Sequence, residues 1–306
     1  MIVKYKSTLL TLAVFMIFLT AGSLISFNNA FGLTGEGDPL VLTKMQQINA
    51  QLAAKGLNYY VEQMEFFTLS GSRPINRIHQ QPFQWVPGDP RRLADGNNIT
   101  YLVNESRGIT ASGLSNSQTE AAIDRAFDTW QADNGLKKVN LVKRAYSGAD
   151  PDIIDFFYGF GQFGNPFLAD IVNAGWLPGA FFDAIVPGGS QSILSVSISL
   201  IFVHNGVPTD IDRNKYLDTA LNEVYYNDNF GDPNGTMVGN PWGINVVLPG
   251  IDVETAALHE NGHSLGLGHF GPPPDAVMNI VYGGLRQSLF AIDGAGLCAV
   301  WSSWPQ

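Results

Sequence analysis

Residues 259–269 constrain this chain more than any other part of its sequence. They read His-Glu-Asn-Gly-His-Ser-Leu-Gly-Leu-Gly-His. Side chains four residues apart lie on one face of a helix, so His259 and His263 can direct two imidazoles at one metal ion. Glu260 follows the first histidine and can reach a metal-bound water without ligating the metal itself. We therefore predict that this segment is a helix carrying a metal site.

A third ligand requires the chain to leave that helix, because a continuous helix would carry His269 away from the other two histidines. Gly266 is the natural exit, since glycine tolerates a positive φ. Imidazole nitrogens suit zinc, and three protein ligands leave one position open for water, which is typical of catalytic zinc. We predict a zinc ion bound by His259, His263 and His269, with Glu260 as the general base.

The extended motif, followed by Ala-Val-Met-Asn at residues 276–279, resembles the metzincin metallopeptidases. The flanking residues 253–258 and the Ile-Asp-Gly at 292–294 are most similar to the matrixin-type peptidases of secreted microbial proteins. The resemblance implies that a zinc-activated water hydrolyses peptide bonds, with Glu260 as general base. It also implies that Met278 forms an apolar floor beneath the metal.

The resemblance carries expectations about substrate binding and latency. It implies a specificity pocket near residues 280–284, and we expect an extended substrate along residues 195–203 or a neighbouring strand. Animal matrixins cap their zinc with a propeptide cysteine, whereas here Cys298 is the single cysteine. That cysteine cap and any intramolecular disulfide are therefore excluded, and we predict that Cys298 is buried. A second, structural zinc is not expected, because His204 is the only histidine between residue 91 and the motif.

The remaining patterns predict an α+β fold. By resemblance it is a metzincin-like catalytic domain: a twisted, mostly parallel sheet with an edge strand, an active-site helix and a C-terminal helix. Hydrophobic spacing predicts strands at residues 59–69, 99–103, 139–142, 153–158, 195–203, 222–227 and 244–248. Helices are predicted at residues 39–55, behind a capping box at 117–120, and after an N-cap at Asp252.

The N-terminus predicts export. Lys4 and Lys6 precede a mostly apolar run at residues 9–27, which is typical of a secretory signal but also long enough to span a bilayer. We therefore predict three regions: a signal peptide or N-terminal anchor at 1–30, an N-terminal extension, possible prosegment and linker at 31–90, and a zinc metallopeptidase catalytic domain at 91–306. The protein is expected to be secreted, with membrane contact only if the N-terminal segment is uncleaved.

Charge and acidic spacing bear on partners and on a second metal. The formal net charge of −10 argues against nucleic acid, since phosphate binding needs basic patches. Protein or peptide substrates are expected instead. Residues 210–218 place oxygen-bearing side chains at positions 1, 3, 5 and 9 of a calcium loop, namely Asp210, Asp212, Asn214 and Asp218. Lys215 stands where such loops have glycine, so a structural calcium site and a plain acidic turn both stay open.

Two alternatives to a peptidase also stay open. The same fold could serve as a non-catalytic zinc-binding surface or adhesion protein, or as a zinc hydrolase acting on something other than a protein chain. Glu260 favours catalysis over the first of these, because a structural zinc needs no adjacent base.

Overall fold

The structure is a computed structural model that describes residues 39–69, 81–93 and 96–305. The predicted signal segment at 1–30 and the apolar run at 9–27 lie outside these ranges. Within them, no helix is both long enough and apolar enough to cross a membrane.

The described residues form seven α-helices and ten strands. The helices are α1 (Pro39–Ala54), α2 (Asn116–Gln131), α3 (Ile154–Phe157), α4 (Gly179–Ile185), α5 (Gly189–Ser192), α6 (Val253–Ser264) and α7 (Ala291–Trp301). The strands are β1 (Tyr59–Thr68), β2 (Phe83–Gln84), β3 (Ile99–Val103), β4 (Leu141–Arg144), β5 (Ile171–Leu177), β6 (Ile193–His204), β7 (Val207–Pro208), β8 (Leu217–Asn227), β9 (Trp242–Gly243) and β10 (Ile251–Asp252).

One central sheet organises these elements. Its strand order is β1-β6-β8-β5-β3-β4, with β2 beside β8 and β7 beside β6. Strands β8, β5, β3 and β4 run parallel to one another, whereas β6 is antiparallel to both β8 and β1. The fold is thus a mixed α/β fold, and the predicted mostly parallel central sheet is confirmed.

Helix α2 holds α6 against one face of the sheet. Its residues Ile123, Ala126, Phe127 and Trp130 are buried at the spacing of one helix face. The indole Nε1 of Trp130 donates a hydrogen bond to the carbonyl of Leu258 in α6 at 2.8 Å. The hydrogen bond attaches α2 to α6, and the apolar face of α2 is buried in the core, so α2 holds α6 in place beside the sheet.

The N-terminal segment contributes to the opposite face. Met45 and Ile48 of α1 are buried in a second apolar cluster that also contains Met64 and Phe66 of β1. Strand β1 pairs antiparallel with β6 from Tyr59 opposite Phe202 to Thr68 opposite Ile193. The helix and strand predicted at residues 39–55 and 59–69 are therefore present, and β1 is part of the central sheet.

This pairing changes which strand is the sheet edge. Residues 195–203 were predicted to be the edge that binds substrate, or its neighbour. Strand β6 has β1 on one side and β8 on the other, so β6 itself is not an edge, and its neighbour β1 takes that position.

Two predicted strands are wrong because carboxylates from outside each segment hold their backbones. Within residues 153–158, residues 154–157 form α3, since the carboxylate of Glu223 accepts hydrogen bonds from the N–H groups of Ile153 and Ile154 at 2.9 and 3.1 Å. Residues 244–248 form a turn in which Asn245 has a φ of 55°. The N–H of Asn245 donates to Asp252 at 2.7 Å.

Smaller corrections concern boundaries and burial. The capping box of α2 is formed by Ser115 and Gln118 rather than by residues 117–120, so the helix begins earlier. Strand β4 lies two residues beyond the predicted start at 139. The thiol of Cys298 was predicted to be buried but is exposed, because it lies on the solvent side of α7.

Candidate metal centre

Helix α6 begins and ends as the sequence predicts. The Asp252 carboxylate accepts a hydrogen bond from the N–H of Thr255 at 2.8 Å and caps the N-terminus. The helix ends at Ser264, and Gly266 has a φ of +90°. The N–H of Leu267 then donates to the carbonyl of Gly262 at 3.0 Å. This bond is typical of α-helices that end at a residue in the left-handed backbone conformation. This turn redirects the chain so that His269 comes back toward α6.

The three predicted histidine ligands converge. The Nε2 atoms of His259 and His263 are 3.1 Å apart, those of His263 and His269 are 3.2 Å apart, and those of His259 and His269 are 3.3 Å apart. All three residues are buried, and together they could hold one metal ion.

The other nitrogen of each ring faces an oxygen. The Nδ1 atoms of His259, His263 and His269 lie 2.8, 2.8 and 3.0 Å from Val277 O, Leu267 O and Glu65 Oε2, respectively. An imidazole whose Nδ1–H donates to an oxygen presents the lone pair of Nε2. The lone pairs of the three rings therefore point at one another.

Burial keeps the rings of His259 and His263 neutral. Loss of solvation, reinforced by the neighbouring imidazoles, holds the pKa of His259 well below its ordinary value. The same causes lower the pKa of His263 to about 3. Neutral imidazole is the form that binds metal ions, so these ligands need not lose a proton near neutral pH.

Glu260 lies fully buried beside the first ligand. Its Oε1 accepts a hydrogen bond from the hydroxyl of Ser195 in β6 at 2.6 Å. Burial raises the pKa of the Tyr226 phenol, and the charge of Glu260 adds to that effect. The carboxylate is thus held between α6 and the sheet, next to the histidine group.

The turn containing Met278 packs directly on the metal helix. A side chain at Gly262 would overlap the sulfur of Met278 and lie 2.8 Å from the Trp130 ring. The carboxylate of Asp293 accepts hydrogen bonds from the N–H groups of Val277 at 2.9 Å and Met278 at 3.3 Å, which fixes the turn. Met278 therefore lies against α6, within one residue of a histidine ligand.

Strand β1 covers the site. The ring of Phe67 stacks on that of His259 with centroids 4.0 Å apart. The ring of Tyr282 lies edge-on to the ring of Phe67, with centroids 5.8 Å apart. The backbone of Thr68 donates to Ile280 O at 3.0 Å and accepts from the N–H of Tyr282 at 2.8 Å. Strand β1 therefore runs between β6 and the segment in which the specificity pocket was predicted.

Sequence reasoning missed three residues of this site: Glu65 and Phe67 on β1, and Ser195 on β6. Glu65 precedes His269 by 204 residues and belongs to the region predicted as an extension. The signal that could have identified Glu65 is that it is an acidic residue in β1, a strand whose residues are largely buried.

The residues proposed for calcium are partly brought together. Asp210, Asp212 and Asp218 each place an oxygen within one small cluster. The side-chain oxygen of Asn214 instead accepts a hydrogen bond from the backbone N–H two residues on, at 2.7 Å. Asp218 is buried and forms a 2.7 Å ion pair with Arg91, which already supplies positive charge there.

Comparisons with known proteins add no relative. No protein-family model matches the chain, and no curated protein matches it in sequence. The function of this chain is therefore inferred from the motif and from the geometry of the site.

Proposed function

We propose that this protein is a secreted zinc-dependent endopeptidase. The observation that carries the proposal is the group of three imidazoles whose Nε2 atoms lie 3.1–3.3 Å apart. Zinc binds imidazole at about 2.0–2.1 Å with tetrahedral angles, which separates the nitrogens by about 3.3 Å. The donor set and spacing thus fit zinc, and three protein ligands would leave its fourth position open.

The arrangement also supports a metzincin-like, matrixin-type assignment. The third ligand follows a glycine turn, and Met278 lies against the metal helix, as the resemblance implies. On this proposal, residues 1–30 direct export and residues 91–306 form the catalytic domain. The mass of the exported protein tests the first point, since cleavage removes the segment before Phe31.

The proposed reaction assigns Glu260 the proton transfers. Zinc, when bound, supplies Lewis acidity that polarises the scissile carbonyl and makes water acidic near neutral pH. Glu260 takes a proton from the water molecule as the water oxygen attacks the carbonyl carbon of the scissile bond. It then gives that proton to the amine nitrogen as the C–N bond breaks. The hydrogen bond from the Ser195 hydroxyl to Oε1 of Glu260 holds this carboxylate in place beside the histidines.

We further propose that residues 31–90 contain an inhibitory prosegment. Strand β1 already pairs with the edge of β6 that an extended substrate would use. Phe67 lies between His259 and Tyr282, where a substrate side chain would enter the predicted pocket. While β1 holds this position, no second chain can occupy it, so activity requires β1 to move.

The burial of the site also favours a second candidate. A non-catalytic zinc-binding surface protein would keep β1 permanently in place and have no need of access to the metal. The two candidates differ in whether peptide bonds are cut once the strand is loosened.

The first test is casein cleavage by residues 31–306, measured beside Glu260→Ala and beside a zinc chelator. Because β1 must move before a substrate can enter, we expect slow wild-type cleavage, which the chelator abolishes. Glu260→Ala should retain zinc but lose roughly 10²–10⁴-fold in rate, because general acid–base catalysis contributes about that much. Equal activity of Glu260→Ala would refute the assigned role.

Thr68→Pro tests latency in the same chain. It removes the N–H that donates to Ile280 O at 3.0 Å and should loosen β1 next to the metal. Thr68→Val keeps that N–H and serves as the matched control. We expect faster cleavage by the proline variant alone. If zinc is bound and neither variant cuts any peptide, the non-catalytic candidate is favoured.

A further inference from the structure

A residue of the N-terminal segment supports the third ligand of the candidate centre. Glu65 Oε2 lies 3.0 Å from Nδ1 of His269, and both residues are buried. The corresponding nitrogens of His259 and His263 face backbone carbonyls instead. Among the three histidines, His269 is therefore the one whose outer nitrogen faces an ionisable side chain.

Glu65 is itself held in a defined orientation. Its other oxygen, Oε1, accepts hydrogen bonds from the side-chain amides of Gln63 and Gln81, the latter at 3.1 Å. The Gln81 amide also donates to Leu267 O at 3.1 Å, and its backbone N–H donates to Gly266 O at 3.2 Å. Gln81 thus ties the carboxylate to the turn that delivers His269, which leaves Oε2 aimed at the ring.

The charge of Glu65 is unusual for so buried a site. Within the described ranges its contacts are two amides and an imidazole, with no lysine or arginine. A buried carboxylate without a cationic partner is costly. Three neutral imidazoles and one dication carry a formal charge of +2, and the carboxylates of Glu65 and Glu260 balance it.

We propose that Glu65 is a positioning residue for zinc, which accepts the Nδ1–H bond of His269 and so aims its Nε2 at the ion. A carboxylate in this role fixes the ring orientation and makes the ligand more basic. The inference rests on the proposed zinc site. It makes β1 part of the metal centre as well as its cover, so by linkage zinc binding and β1 docking strengthen one another.

The test measures zinc affinity of residues 31–306 by competition with a chelator; this chain contains the whole compact unit Leu33–Gln306. Glu65→Met keeps the side-chain length but removes the acceptor, and we expect zinc binding to weaken about 10–100-fold. Glu65→Gln keeps an acceptor oxygen and should lose less than Glu65→Met. Glu62→Gln changes another buried acid of β1, three residues before Glu65, and its affinity should stay within about twofold of wild type.

A second readout separates positioning from general strand damage. With only five histidines in the chain, ¹⁵N-histidine NMR can follow the Nδ1–H of each ring in the zinc form. Glu65→Met should alter the His269 signal and leave those of His259 and His263 in place. If Glu65→Met fails to fold, Glu65→Gln carries the same comparison.

The outcomes distinguish this inference from the proposed function. Zinc affinity and a His269 signal unchanged in Glu65→Met would overturn the role of Glu65 while leaving the zinc site intact. An equal loss in Glu62→Gln would also overturn it, because the effect would then belong to the strand as a whole. If the wild-type protein binds no zinc, the proposed function fails with it.

Discussion

Adding one methyl group to α6 tests how tightly the turn containing Met278 packs on the metal helix. Alanine in place of glycine normally stabilises a helix interior by about 1 kcal/mol. At Gly262 the new methyl would overlap the Met278 sulfur and lie 2.8 Å from the Trp130 ring, where ordinary contacts begin at 3.4 Å. The ring would have to retreat by 3.4 − 2.8 = 0.6 Å.

Trp130 has little freedom to make that movement. It is fully buried, and its indole N–H is bonded to Leu258 O at 2.8 Å. Overpacking a rigid core site costs about 1–3 kcal/mol, and the two contacts together point to the upper part of that range. After the gain in helix propensity, we expect Gly262→Ala to lower the free energy of unfolding by about 1–2 kcal/mol.

Urea denaturation of the apoprotein measures this change without any assumption about catalysis. Gly296→Ala in α7 is the matched control, because its nearest atom lies 3.3 Å from the added methyl. In a double-mutant cycle, Gly262→Ala should destabilise the Met278→Ala protein by about 1 kcal/mol or more less than it destabilises wild type, because Met278→Ala removes one of the two obstacles. If Gly262→Ala instead stabilised the protein by about 1 kcal/mol, the proposed packing of Met278 would be refuted.

Three further outcomes concern charged side chains elsewhere in the described chain. Burial raises the pKa of Glu62 from an ordinary 4.5 to about 8, so the folded state holds an extra proton between those pH values. The free energy of unfolding therefore falls as pH rises through that window, by up to about 1.4 kcal/mol per pH unit. Glu62→Gln should flatten that fall when urea denaturation is measured at pH 5 and at pH 8. Asp170→Ala leaves the buried Arg92 guanidinium without its 2.8 Å partner and should cost about 3–5 kcal/mol by the same method, whereas an unchanged midpoint would contradict a buried ion pair. If residues 210–218 bind calcium, about 1 mM Ca²⁺ should raise the Tm of wild type but not of Asp210→Asn; no rise in wild type removes the calcium prediction.

The parts of the site that local sequence predicted are those built by local physics. Asp252 caps α6, and Gly266 takes the positive φ that the turn toward His269 requires. Histidines four residues apart meet on one helix face whatever surrounds them. The spacing in residues 259–269 therefore carried enough information for the arrangement of His259 and His263.

The features that sequence missed depend on contacts between distant residues. Residues 153–158 have the composition of a strand, but a buried carboxylate at Glu223 caps them as a helix. Strand β5 went unpredicted because Gly175, with a φ of +94°, breaks its alternation. The place of Glu65 beside His269 could not be predicted, because no local pattern shows which strand will pair with β6.

The pairing partners of β1 also fix the order in which the molecule can assemble. The strand leaves the ribosome early, yet Phe66 pairs with Val196, 130 residues later, and Thr68 bonds Ile280 across 212 residues. Long-range pairings of this kind are slow to form, because loop closure precedes any gain from the contacts. The earliest strand of the described chain must therefore wait for β6 and residues 280–282, and the carboxylate of Glu65 can meet His269 only after that histidine, 204 residues later, has been made.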